Sequence, residues 1–522
     1  MADSTQPLSP ALRIGVGLAL AAVLALVLGT LAAVLARAKG FGALGPADWA
    51  AVRFTVNQAA ISAALSIAFA VPVARALARR RFVGRGLLVT ALGAPFLLPV
   101  IVAVMGLLTI FGRAGTLNGM LGLAGVQPIS IYGFGGVVLA HVFLNLPLAV
   151  RLLLHGWLAI PAERFRLAAS LGFGTGAMLR HLEWPMLRAV VPSAFVAILL
   201  ICLTSFTVAL TLGGGPRATT LELAIYQALR FDFDPGRAAT LAVLQLALSA
   251  LAMLLALKLA VPAAFGAGLD RPVQRWDADG AVPRAADAVA LVGATLFLAA
   301  PLAAVVVEGS GHVAGLPASV WQAALRSLGV ALGSGALALA MALPLSLGAA
   351  RSRRRGWVEA AGMLPLATSA LVVGTGLMLL LRPLTNVTAL ALPVTAAVNA
   401  VMVLPFCLRV MSPAARTIEA DYGRLADSLG LAGAARLRIL ILPRMRPALG
   451  FAAGLATAMS MGDLGVIALF AGADNATLPL ALYRLMGAYR TADAAGAAML
   501  LLALSLALFW VFDRGGRIDA GS

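Results

Sequence analysis

The residues that could do chemistry are few and lie far apart. Four histidines are scattered along the chain, none at the spacing of a metal-ligand pair: His141, His155, His181 and His312. The two cysteines, Cys202 and Cys407, each lie inside an apolar run and give no disulfide framework. The only lysines, Lys39 and Lys258, precede glycine and leucine, so neither completes a nucleotide-binding P-loop. These patterns predict no catalytic residue, no metal site and no cofactor in this chain.

One charged, glycine-rich stretch occurs twice. "RLAASLGFGTGAMLRHLEWPMLR" covers 166–188, and "RLADSLGLAGAARLRILILPRMR" covers 424–446, which is 258 residues later. Aligned over 162–188 and 420–446, the two copies are identical at 13 of 27 positions. Such a repeat indicates that the chain contains two equivalent structural units.

The remainder of the chain is strongly apolar. Hydrophobic residues make up 61% of the sequence and charged residues 11%, and the mean hydropathy is +0.98, which is outside the balance of soluble proteins. Runs of about 20 apolar residues, each able to cross a bilayer as a helix, recur along it. The sequence predicts an all-α membrane protein with about twelve spans, near 12–36, 57–76, 86–111, 132–156, 189–212, 238–259, 286–308, 325–349, 358–381, 391–410, 448–470 and 495–512. We interpret the first run as an uncleaved span, since it is longer than the core of a signal peptide.

The basic residues lie mainly on one side of these spans. The net charge is +18, and 27 of the 39 lysines and arginines fall on the side that holds both termini and the repeated stretch. This is the positive-inside bias, so that side is predicted to be cytoplasmic. Because the charges cluster in short loops between apolar runs, binding to nucleic acid is not expected.

The repeat divides the spans into two sets of six. We predict a first half over 1–262, a cytoplasmic linker over 263–285 and a second half over 286–522. An even number of spans in each half makes the two repeats parallel, related by an axis along the membrane normal. Inverted-repeat carriers, whose halves have odd numbers of spans, are disfavoured.

The repeated stretch predicts a polar element at the cytoplasmic surface. Arg166–Leu171 has the pattern of a short amphipathic helix, the glycines from Gly172 onward interrupt it, and Pro185 resets the chain before span 5. A solvated loop would satisfy this pattern. Two copies at matching places favour two equivalent docking points for a two-fold symmetric partner.

The stretch resembles the EAA loop of ABC importer permeases, in which a proline follows a glycine after thirteen residues. Gly172 with Pro185, and Gly430 with Pro443, have this spacing. The resemblance implies the type I ABC importer permease fold, with 162–188 and 420–446 as the first and second coupling loops. It also implies two copies of a separate ABC ATPase subunit, which bind and hydrolyse the ATP.

The match to the EAA pattern is incomplete. The second alanine of the pattern is kept at Ala168 and Ala426, whereas its glutamate position holds Arg166 and Arg424. A salt bridge from that glutamate therefore cannot be carried over to this chain.

Three further stretches resemble thiamine ABC importer permeases. They are "YGFGGVVLAHVFLNLPLAVRLLLHGWLAIP" (132–161), "TLGGGPRATTLELAIYQALRFDFDPGRAA" (211–239) and "SMGDLGVIALF" (460–470). The likeness implies uptake of thiamine and its phosphates across the bacterial inner membrane, delivered by a periplasmic thiamine-binding protein. Fused iron(III) importer permeases share this architecture, and a twelve-span ion-coupled carrier is a further alternative. Such a carrier needs carboxylate relays within its spans.

A pathway for an aromatic cation needs a few polar contacts within the spans. Asp463 in span 11 is the foremost candidate, although a place near the outer interface, or pairing with an arginine or a helix N-terminus, would also account for it. Its counterpart in the first half is Ser205, beside Thr207, and such hydroxyls often bond their own helix backbone. Three more polar residues lie in spans 4 and 10, where hydrogen bonding between helices is a stronger expectation than pathway lining: His141, Asn145 and Asn399.

Overall fold

The computed structural model describes residues 10–40, 44–92, 98–215, 218–259, 275–351, 355–472 and 474–517. All regular secondary structure in these ranges is helical. Eleven helices in the described ranges are long and apolar enough to cross a membrane, and one bent helix pair raises the number to twelve. The prediction of an all-α protein with about twelve spans is thereby confirmed.

The helices follow one another in the same order in the two predicted halves, with two exceptions. Before the linker they are α1 (Pro10–Arg37), α2 (Pro46–Arg79), α3 (Arg85–Ala91), α4 (Val100–Phe111), α5 (Thr116–Leu123), α6 (Phe134–Leu158), α7 (Ala162–Ser170), α8 (Thr175–Met178), α9 (Trp184–Leu203), α10 (Phe206–Leu212), α11 (Leu221–Arg230) and α12 (Pro235–Leu259). After it they are α13 (Ala281–Ser310), α14 (Ala318–Arg351), α15 (Arg355–Met363), α16 (Ala370–Leu381), α17 (Ala391–Ser428), α18 (Gly433–Arg436), α19 (Leu442–Met461), α20 (Gly465–Phe470), α21 (Leu478–Gly487) and α22 (Thr491–Arg517). Among the described residues α5 has no counterpart in the second half, and α17 covers the positions of both α6 and α7. Residues 263–274 of the predicted linker lie outside the described residues.

The first helix of each half packs against the other half. Helix α1 lies on α14 and α16, and α13 lies on α2 and α4. A Cβ atom added at Gly106 of α4 would come 2.4 Å from the carbonyl oxygen of Pro301 in α13. One added at Gly376 of α16 would come 2.4 Å from the carbonyl oxygen of Thr30 in α1. Glycine is required at both positions because any side chain would push α13 or α1 away from its contact with the other half.

Several spans that hydropathy predicts as continuous are interrupted. Span 5 stops at Leu203 and resumes at Phe206, and span 11 stops at Met461 and resumes at Gly465. Span 9 bends by 88° before α16 begins. Backbone groups released by such breaks must find partners inside the protein, because lipid offers none.

The chain passes from the preceding span into the coupling loop differently in the two halves. In the first half α6 ends at Leu158, and α7 starts separately after Pro161. In the second half α17 continues without interruption to Ser428. The position equivalent to Pro161 is Glu419, which can stay in a helix, whereas proline lacks the backbone N–H that a helix interior needs.

Candidate functional site

Each coupling loop turns at a left-handed glycine. Helix α7 ends at Ser170, and Gly172 follows with φ = +65°. In the second loop α17 ends at Ser428, and Gly430 follows with φ = +67°. Only glycine adopts this conformation without steric cost, so the first glycine of the repeated stretch fixes the direction in which the chain leaves the helix.

The residues before the glycine divide into a buried and an exposed set. Ala168 and Ala426 are buried against the body of the protein. Leu171 and Leu429 are 61% and 65% exposed, although they occupy the last turn of an amphipathic element. Exposed leucines at two matching places form an unpartnered apolar surface on each loop, which is typical of a docking site.

The arginines at the glutamate position of the EAA pattern point away from the protein. Arg166 is exposed, and its nearest carboxylate is Glu163, with the Nη2 and Oε1 atoms 3.9 Å apart. Arg424 is also exposed. Both are therefore accessible to a partner protein.

The prolines of the repeated stretch do not break the helix, contrary to the interpretation of Pro185 as a reset. Pro185 and Pro443 lie in the first turn of α9 and α19, and each is preceded by a π-helical turn, Leu179–Glu183 or Leu437–Ile441. The wider turn is a way to accommodate a residue that cannot donate the regular helix hydrogen bond. Both prolines are exposed, and the helix continues into the span.

We expect the left-handed glycines to be sensitive to substitution. In Gly172→Ala and Gly430→Ala the added methyl group would meet no atom within 4 Å, so its whole effect is conformational, at a cost of about 1–2 kcal/mol. The expected result is a several-fold lower rate of ATP-driven transport with normal membrane insertion. Gly176→Ala is the matched control, because Gly176 has open space and lies inside helix α8. Equal losses in all three variants would contradict this account.

The breaks in spans 5 and 11 place the two predicted pathway residues at equivalent positions. Ser205 begins the turn into α10, and Asp463 precedes α20. The carbonyl oxygens of Cys202 and Leu203, beside the first break, accept hydrogen bonds from Gln58 (2.9 Å) and Gln245 (2.9 Å). These two glutamines were not among the predicted site residues, and the available signal was that each is a polar residue within an apolar span.

Asp463 is incompletely paired. Its Oδ1 atom accepts a hydrogen bond from the backbone N–H of Gly465 at 3.3 Å, and its buried Oδ2 atom has no hydrogen-bond partner in the described structure. The carboxylate thus partly caps α20 and keeps one free acceptor at the break. Thr207, on the equivalent helix α10, is half-buried, and its carbonyl accepts a hydrogen bond from Thr211.

The polar residues of spans 4 and 10 mostly connect helices. Asn399 donates to the hydroxyl of Ser460 at 3.0 Å, and Ser460 lies 2.8 Å from the hydroxyl of Ser334. Asn145 donates to the His141 carbonyl at 2.8 Å and to the sulfur of Cys202 at 3.4 Å. The His141 ring is buried, and neither of its nitrogens has a hydrogen-bond partner among the described residues.

A second acid lies between the predicted halves. Glu222 of α11 is buried, and one of its oxygens is unpaired in the described structure. Helix α11 packs on α12 of its own half and on α16 of the other half. Hydropathy does not single it out, because α11 is a short helix between two spans. The available signal was its place in "TLELAIY" (220–226), which recurs as "TLPLALY" (477–483) with Pro479 at the equivalent position.

The coupling loops are fixed to the spans by ion pairs that the sequence did not reveal. Glu183 of the first loop is fully buried and pairs with Arg75 (2.8 Å) and Arg275 (2.9 Å). In the second loop the buried Arg436 pairs with Glu419 at 2.6 Å and with Asp427. The partners are distant in sequence or differ between the two copies, so no periodic pattern identifies them.

Taken together, the apolar helices, the broken spans and the paired loops define a multi-span membrane permease. The chain is similar to the thiamine transport system permease protein ThiP of Brucella abortus, with 41% identity over 98% of this chain and 97% of the relative. It is also 41% identical to ThiP of Escherichia coli over 89% of both chains. The chain belongs to the family of thiamine transport system permease proteins, which confirms the resemblance seen in the sequence. No protein-family model matches the chain.

A more distant similarity covers only part of the chain. The molybdenum transport system permease protein ModB of Mycobacterium bovis is 32% identical over 213 residues, which is 40% of this chain and 78% of that relative. Permeases of this broader kind are subunits of ABC transporter complexes. The protein is therefore a multi-pass membrane component of such a complex.

Proposed function

We propose that this protein is the membrane-spanning subunit of an ATP-driven importer that carries thiamine, and also thiamine phosphates, into the cytoplasm. The observation that carries the proposal is the 41% identity to ThiP over nearly the whole chain. The paired coupling loops support the same assignment from geometry, because they offer two matching attachment points. A periplasmic thiamine-binding protein delivers the substrate to the outer face.

The ATP is bound and hydrolysed by a separate subunit, present in two copies. Each copy covers the exposed leucine of one coupling loop, Leu171 or Leu429, and meets the exposed Arg166 or Arg424. Closure of the two ATPase subunits displaces both loops together. Because each loop continues directly into a span through a π turn, its displacement tilts that span and exposes the pathway on alternate sides.

The proposal places the protein in the bacterial inner membrane with both termini in the cytoplasm. The start of α1 and the end of α22 support this orientation, because both lie near the coupling-loop end of the spans. Gly15 faces Pro344 near the end of α14, and Gly516 faces the carbonyl of Arg446 in the second loop. The domain division at 1–262, 263–285 and 286–522 belongs to the same proposal.

The substrate pathway runs between the halves, past the broken spans. Asp463 and Glu222 each present a buried oxygen without a protein partner among the described residues, which suits a positively charged thiazolium ring. Ser205 and Thr207 line the equivalent position in the first half, and the unpaired ring of His141 adds a polar contact. Asn145 and Asn399 act chiefly by holding adjacent helices together.

The mode of energy coupling is testable in proteoliposomes that contain the permease, its ATPase and the binding protein. We expect thiamine uptake to require ATP and the ATPase subunit, and a proton gradient alone to drive none. Uptake driven by the gradient without ATP would assign the protein to the ion-coupled carriers instead.

A further inference from the structure

The described end of the segment that joins the two halves, Arg275–Asp279, lies against the first coupling loop. Its backbone and side chains bond to that loop at three points, two of which lie beside the left-handed glycine. The hydroxyl of Thr175 donates to the carbonyl of Asp277 at 2.7 Å, and the indole N–H of Trp276 donates to the carbonyl of Phe173 at 3.2 Å. The segment is thus attached to the loop at Phe173 and Thr175, directly after the left-handed glycine.

Arg275 is the centre of this attachment. Its buried guanidinium donates to Glu183 at 2.9 Å and makes two hydrogen bonds to Asp277, at 2.6 and 2.8 Å. The guanidinium also lies over the ring of Phe165, with its Cζ atom 5.3 Å from the ring centroid. A bidentate arginine with this degree of burial holds its partners in one fixed geometry.

The same network reaches a helix of the second half. Arg79 and Arg80 at the end of α2 both pair with Asp287 of α13, at 2.5 and 2.6 Å, and Arg80 also donates to the carbonyl of Ala278 at 2.6 Å. Glu183 therefore connects the first loop to Arg75 of α2, and the segment connects it to α13 through the Ala278 carbonyl, Arg80 and Asp287.

The second coupling loop has no such attachment in the described structure. Arg436, which belongs to that loop itself, pairs with Glu419 and Asp427, and Glu419 in turn pairs with Arg351 of α14 at 3.1 Å. Its ion pairs thus connect the second loop to helices of its own half. The two loops are equivalent towards a partner but are held to the spans in different ways.

Burial of Asp277 opposes its ionisation, but the hydrogen bonds from Arg275 and the charges of Arg79 and Arg75 outweigh burial and lower the pKa of Asp277. A carboxylate with a lowered pKa stays ionised through neutral pH, and it loses its charge only in acid below its ordinary pKa. Asp277 therefore keeps its charge, and with it the ion pair to Arg275, at neutral pH.

We propose that Arg275–Asp279 clamps the first coupling loop to α13, the first helix of the second half. Displacement of the loop then moves α13 as well. This rests on the proposed ATP-driven function. Arg275 is a positioning residue that acts through Glu183. The two halves are thereby coupled through the chain that joins them, in addition to their shared ATPase partner.

The first test measures ATP hydrolysed per thiamine delivered in proteoliposomes. For Arg275→Gln and Glu183→Gln we expect this ratio to rise roughly three- to tenfold, and the double variant to equal the more affected single variant. Arg275→Lys should restore part of the coupling. Arg490→Gln is the control, because Arg490 is an exposed arginine that pairs with Asp493 of α22, away from the first loop and from the segment. Additive effects, or a wild-type ratio in both variants, would overturn the proposal.

A second measurement keeps the test valid if those variants fold poorly. Thr175→Val with Trp276→Phe removes two hydrogen bonds without exposing a buried charge. Spin labels at Ser170→Cys and Ala285→Cys report the distance between loop and α13, since the native cysteines are buried. With the segment intact, we expect a single distance between the two labels that ATP does not change. In the double variant we expect a broader distribution of distances that does change with ATP. An ATP-dependent distance in the unaltered segment would refute the clamp, whereas absence of ATP-driven uptake by the wild type would refute the proposed function instead.

Discussion

Replacing the exposed leucines of both coupling loops with aspartate should abolish ATP-driven uptake. Leu171 and Leu429 are more than half exposed, and in the proposed complex each contacts one copy of the ATPase subunit. Burial of a leucine side chain contributes about 1.5–3 kcal/mol, so Leu171→Asp with Leu429→Asp should weaken docking at least about a hundredfold. The measurement is the amount of ATPase subunit that co-purifies with the permease, together with the rate of uptake.

The control for this experiment is an exposed leucine elsewhere. Leu384 follows α16 at the opposite end of the spans and is at least as exposed as the two loop leucines. Leu384→Asp should leave the co-purified ATPase at the wild-type level. If the loop variants retain the ATPase, or if Leu384→Asp loses it equally, the loops are not the docking sites.

Asp463→Asn should reduce uptake of thiamine about tenfold, since loss of one charged contact costs on the order of 1.4 kcal/mol. The carboxylate lies in the break of span 11 with one buried oxygen unpaired in the described structure, and asparagine keeps the shape but removes the charge. The measurement is the concentration dependence of uptake with the binding protein saturating. Binding of the ATPase should be unchanged, because Asp463 is remote from both loops.

An acid outside the pathway provides the comparison for Asp463. Asp493 lies in the first turn of α22 and pairs with Arg490 at 2.6 Å. Asp493→Asn should transport at the wild-type rate. Wild-type uptake by Asp463→Asn would remove Asp463 from the pathway, and the broken span would then serve only to bend the helix.

Much of the fold follows from local patterns in the sequence. Apolar runs predict spans because a helix must cover the hydrocarbon core. The thirteen-residue interval from Gly172 to Pro185 predicts the repeated loops, and their coupling role stays a prediction. Pro161 also favours a helix start in the first loop, whereas Glu419 at the equivalent position lets α17 continue. These features depend on the chain within a few turns of the residue concerned.

The functional details depend on contacts between distant residues, which the sequence does not display. The breaks at Ser205 and Asp463 lie within continuous apolar windows, so hydropathy cannot detect them. The first break is tolerated because Gln58 and Gln245, on other helices, satisfy the released carbonyl groups of Cys202 and Leu203. The Arg275–Glu183 pair spans 92 residues and has no counterpart in the repeat, since the position equivalent to Glu183 is Ile441.

The central claim is that this permease imports thiamine under the control of a binding protein and ATP. The most direct measurement is uptake of labelled thiamine and labelled iron(III) by the same proteoliposomes, which contain permease, ATPase and thiamine-binding protein. The account predicts that thiamine accumulates only when ATP and the binding protein are both present, and that iron(III) neither accumulates nor competes. Accumulation of iron(III), or thiamine uptake that needs no ATP, would contradict it.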